Sequence, residues 1–73
     1  MNFALLENVQ ALLDYNQVPK SLDARTKYLA DECGVPTKSI TPFLLGEQNL
    51  PNGEVRKIAD KFEVDLKWLV GKS

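Results

Sequence analysis

The chain has 73 residues, 44% of them apolar and 26% charged, with a net charge of −1. That length allows one domain, which buries roughly 60% of its unfolded surface, and the composition is that of a folded chain rather than a disordered one. There is no histidine and a single cysteine, Cys33, which excludes zinc fingers, Ser-His-Asp or Cys-His catalysis and an internal disulfide.

Residues 2–15 place Leu5, Leu6, Val9, Leu12 and Leu13 on one helical stripe without Gly or Pro, and predict a first helix. Asn2 is its expected N-cap, and Phe3 is expected to staple its first turn. Residues 16–22, NQVPKSL, read as a loop, because Pro19 forbids a helix interior. Asp23 is the expected N-cap of a second helix over 24–33, with Leu29, Ala30 and Cys33 inward and Tyr28 alongside. Gly34 suits the left-handed end of that helix.

Pro36 then opens a third helix over 37–45, whose inward set is Ile40, Phe43 and Leu44. Pro42 interrupts this helix, so the helix either bends there or restarts with Thr41 as its cap. Residues 47–53, EQNLPNG, form a polar loop. A fourth helix over 54–62 carries Val55, Ile58, Ala59 and Phe62 inward, and Asp65 caps a fifth over 66–70 that Gly71 ends. Val64 and Leu69 are expected to pack inward. The pattern is all-α: five short helices around one core, with no β-patterned run.

Two helices joined at a glycine, over about 24–46, have the form of a helix-turn-helix. In that motif the second helix enters the major groove of DNA and the first crosses the backbone. The outward face of the third helix offers Thr37, Lys38, Ser39 and Thr41, whose hydroxyls and ammonium suit base edges. Arg25, Thr26 and Lys27, at the start of the second helix, are placed to meet phosphate, with Gln48 and Asn49 as a further backbone contact.

At these residues the chain resembles a known family. LADECGVPTKSI, LLGEQNLP and VRKIADKFEVDLKWLVG, in that order, resemble the lambda repressor/Cro-type helix-turn-helix domain, also called the XRE family. The resemblance covers about Asp23 to Gly71. It implies a compact five-helix lambda-repressor-like domain, double-stranded operator DNA as ligand, and commonly a homodimer. It also implies transcriptional repression in a phage or bacterial setting, or the antitoxin of a toxin–antitoxin pair. Carried over, Thr37, Lys38, Ser39 and Thr41 fall on the base-reading face, and Thr26 falls where a polar residue meets the backbone. The chain departs from the family at Pro42, where a polar or basic residue is usual, and between Pro51 and Ile58, which is about one residue short.

Charge tempers the DNA reading. The sequence pI is about 5.2, whereas nucleic-acid binders usually carry a basic footprint. Residues 20–46 are the only net-positive third of the chain, so DNA binding requires a positive band joining Arg25, Lys27 and Lys38, and acids interrupting that band would weaken it. A protein-interaction module on the same fold, an antirepressor or an antitoxin with a protein partner, is the alternative. Leu66, Trp68 and Val70 cannot all point inward from a helix this short, and are the candidate dimer surface. Cys33 reads as a small buried apolar residue. Asp31 and Glu32 are adjacent and so diverge on a helix, and no metal site, cofactor or acid/base pair is implied. No apolar run approaches the roughly 18 residues of a membrane span, residues 1–13 lack the marks of a signal peptide, and the lone cysteine fits a reducing cytoplasm.

Overall fold

The computed structural model describes residues 1–71. Among them it has helices α1 (Phe3–Tyr15), α2 (Leu22–Cys33), α3 (Thr37–Leu44), α4 (Asn52–Phe62) and α5 (Leu66–Leu69), and no strand. No helix among the described residues is long and apolar enough to cross a membrane.

Local chemistry sets most boundaries. The Asn2 side chain accepts from the Leu5 N–H at 3.0 Å and starts α1, and Asp65 does the same for α5 by accepting from the Lys67 N–H at 2.7 Å. The expected cap of α2 is corrected. Ser21, not Asp23, accepts from the Ala24 N–H at 3.1 Å, and Asp23 lies inside the first turn, where its charge complements the helix dipole. The fourth helix begins two residues earlier than expected, at Asn52 after Pro51. Gly53 falls in the first turn rather than the helix interior, where glycine would cost about 1 kcal/mol.

Helix ends use left-handed residues. Gly34 has φ +72° and its N–H donates to the Ala30 carbonyl at 3.2 Å. α4 ends at Phe62, as expected, but through a residue without a local signal: Glu63 takes the same conformation, φ +56°, and the Val64 N–H reaches back to the Ala59 carbonyl at 3.0 Å. This is the glycine position of a Schellman-type end, filled by a glutamate.

The core joins Leu5, Val9 and Leu13 of α1 to Leu29 of α2, Ile40 and Phe43 of α3, Ile58 of α4 and Leu69 of α5. Leu6, Leu12, Ala30, Leu44, Phe62 and Val64 pack against it half-buried. Phe3 is no staple. It is 60% exposed, and its ring lies over Gly46. The Tyr28 and Phe62 rings stack at 6.2 Å between α2 and α4.

The short α5 is fastened to α1. Asn8 donates to the Trp68 and Leu69 carbonyls at 2.9 and 3.2 Å, and Asn2 donates to the Val70 carbonyl at 3.0 Å. A Cβ on Gly71 would lie 2.6 Å from that of Ala4, so the chain passes α1 only as glycine.

Candidate nucleic-acid interface

α2 and α3 pack against each other more extensively than any other pair of helices, joined by Gly34, Val35 and Pro36. Val35 is buried and pins the turn to the core. This brace fixes α3 with Ile40 and Phe43 inward and the opposite face out. Thr37 and Lys38 on that face are exposed, and Ser39 and Thr41 are half-buried. The helix contains no acid, and Lys38 makes no ion pair among the described residues. Pro36 supplies no side-chain cap. The Ser39 and Ile40 N–H groups bond to the Pro36 carbonyl at 3.0 and 3.2 Å, and those of Thr37 and Lys38 have no partner within the helix. Its first turn thus presents N–H donors, a hydroxyl and an ammonium together, a combination suited to anions and base acceptors.

α3 does not restart at Pro42, and Thr41 is not a cap. The helix runs from Thr37 to Leu44 with the proline inside it. The Lys38 carbonyl therefore lacks its usual donor four residues on. The Leu45 N–H still bonds the Thr41 carbonyl at 3.1 Å.

The expected phosphate contacts divide. Gln48 and Asn49 are exposed after α3, though the Asn49 side-chain oxygen is occupied by the Asn2 N–H at 2.6 Å. Arg25 is corrected: it is 5% exposed and faces inward. Its guanidinium pairs with Asp14 and the Gln10 side chain, and donates to the Pro19 and Val18 carbonyls at 3.1 and 3.2 Å. The hydrogen bond from Arg25 holds the Asp14 carboxyl below the usual carboxylate range, against an opposing effect of burial, with the charges of Arg25 and Lys20 adding to it. The sequence carried a signal for this, since Arg25 occupies the same helical row as Leu29 and Cys33, at i, i+4 and i+8. Thr26 is also corrected, because its hydroxyl oxygen is buried and unpartnered rather than facing solvent.

Lys27 is exposed, but it shares a shallow recess of about 410 Å³ with Asp31, Glu32, Tyr28 and Pro19. The expected band joining Arg25, Lys27 and Lys38 is therefore absent: one cation is buried and one sits among acids. A cation missed by sequence reasoning partly replaces them. Lys57 of α4 donates to the Gly34 carbonyl at 3.4 Å, at the turn that leads into α3, and has Glu54 at 3.7 Å. Only tertiary packing brings it there.

Of the three candidate dimer residues, Trp68 is 46% exposed, while Leu66 and Val70 are half-buried against the core. Cys33 is buried, as expected, and desolvation pushes its thiol pKa up, with Lys61 pulling the other way. No group of three metal-ligating side chains occurs among the described residues. No protein-family model, curated protein or solved structure matches this chain.

Proposed function

We propose that this protein is a sequence-specific DNA-binding transcriptional regulator of the lambda repressor/Cro (XRE) type. It acts in the cytoplasm as a homodimeric repressor, placing α3 of each protomer in the major groove of a pseudo-palindromic operator. Half-sites lie about one helical turn apart, roughly 10 bp. The observation that carries this reading is the acid-free outward face of α3, held by α2 across the Gly34 turn and led by the uncapped first turn with Thr37 and Lys38. Thr37 and Lys38 reach base edges or phosphate first, Ser39 and Thr41 lie deeper on the same face, and Gln48 touches the backbone.

A second reading is favoured by a specific observation. With Arg25 withdrawn into the fold and Trp68 exposed, a protein partner is the competing ligand, as for an antirepressor or antitoxin. Selection of duplexes from a randomised pool, followed by gel shift on the enriched sequence, separates the two. The DNA reading expects a pseudo-palindromic consensus. Failure to enrich any sequence at low salt, with the protein folded, would remove it.

A further inference from the structure

We propose that the recess between α4, α5 and the start of α1 binds a small organic anion, a carboxylate or phosphate carried on an apolar body. The recess encloses about 380 Å³, within the size range of small-molecule sites. Its apolar lining comes from Val55 of α4, Leu66 of α5 and Val70. Its charged lining is of one sign, with Arg56 and Lys67 and no carboxylate. Neither cation makes an ion pair among the described residues.

The acids two residues from each of these cations in the chain already have partners. Glu54 lies 3.7 Å from Lys57, and the Asp65 carboxylate accepts from the Lys67 backbone N–H at 2.7 Å. Two desolvable cations beside an apolar floor favour a ligand with the complementary split: an anionic head and a hydrocarbon or aromatic body. Asn52 also lines the recess and adds an amide to the polar side.

The wall is preformed. Asn2, which lines the recess, spends its polar groups on the framework, accepting from Leu5, donating to the Val70 carbonyl and passing its own N–H to Asn49. A ligand therefore finds the Asn2 wall built, and the ordering cost falls on the Arg56 and Lys67 side chains alone. Through Asn2 the site also touches Asn49, next to the proposed DNA face, but the inference stands without the DNA reading, because its test uses the free protein.

The test is an amide ¹⁵N–¹H titration with hexanoate and with phenyl phosphate, each set against its neutral counterpart, hexanol or phenol. Saturable shifts centred on Val55, Arg56, Leu66, Lys67 and Val70 with at least one anion, and none with its neutral counterpart, are expected. Which anion saturates at the lower concentration identifies the head group. Arg56→Gln and Lys67→Gln, both at exposed positions, should each weaken binding about tenfold, as for loss of one charge-assisted hydrogen bond. Linear drift with both anions, equal response to the neutral counterparts, or affinity unchanged in both variants would overturn the proposal.

Discussion

Replacing Arg25 by methionine separates the buried role of this residue from its expected role at DNA. The shorter methionine keeps an unbranched, flexible apolar stem that fills most of the same volume, so the cavity left is small. What disappears is the donor set: the bonds to the Pro19 and Val18 carbonyls at 3.1 and 3.2 Å, to Gln10 and to Asp14. The Val18 carbonyl lies in a buried environment and is left without this donor, a loss of about 1–3 kcal/mol. The Asp14 side chain is 49% exposed and can be hydrated instead, so the ion pair itself adds little. The sum is about 1–3 kcal/mol, or a fall in Tm of about 4–24 °C for a domain of this size. Thermal unfolding followed by circular dichroism measures it. The pH dependence carries a signature. Because the folded Asp14 pKa is lowered, its contribution is present above the unfolded value of about 3.9 and is lost as pH falls through the folded value. Arg25→Met lacks that contribution, so the gap in Tm narrows below about pH 4. A Tm change under about 2 °C at neutral pH would refute the clamp and return Arg25 to the surface.

Other consequences are independent of that clamp. Glu63→Gly relieves a left-handed glutamate at φ +56° and should stabilise the protein by about 0.5–1 kcal/mol in urea unfolding; an equal loss would show that the glutamate side chain matters more than its backbone. The Cys33 thiol, buried and with its pKa raised, should react with a disulfide reagent only as fast as the fold opens; stoichiometric labelling within seconds would contradict that. Trp68→Ala should shift sedimentation toward monomer while leaving the fold intact, because the indole is 46% exposed; a wild-type protein that stays monomeric at high concentration, with and without DNA, would discard the dimer.

The parts of the fold legible in the sequence are those fixed by neighbours in the chain. The Leu5–Val9–Leu13 stripe, the Asn2 and Asp65 caps and the Gly34 turn each depend on a few consecutive residues, and each lies where its periodicity or capping chemistry puts it. Features decided by tertiary structure were not legible. Ser21 and Asp23 are both competent caps, and choosing between them requires knowing where the chain leaves Pro19. Glu63 has no local mark of a left-handed residue. Lys57 reaches the Gly34 carbonyl across 23 positions of chain. The interface is the least legible part, because a charge in the sequence does not say whether it is free for a partner. Arg25 is the example: an arginine on an apolar row has a stem long enough to be buried and five donors with which to satisfy the carbonyls around it.

The thin charge left at the interface turns the DNA proposal into a number. Lys38 in the first turn of α3 and Lys57 at the Gly34 carbonyl before it, once Lys57 exchanges Glu54 for phosphate, give about four phosphate-neutralising charges per dimer and a slope of log K against log salt of about −3.5. Lys38→Ala should reduce that slope to about −2 and cost about 1 kcal/mol per half-site. The direct test is therefore the affinity of folded wild-type and Lys38→Ala protein for a selected duplex across a salt series. The account expects specific binding with the slope and its reduction as stated. No specific binding at low salt, or a slope that Lys38→Ala leaves unchanged, would contradict it.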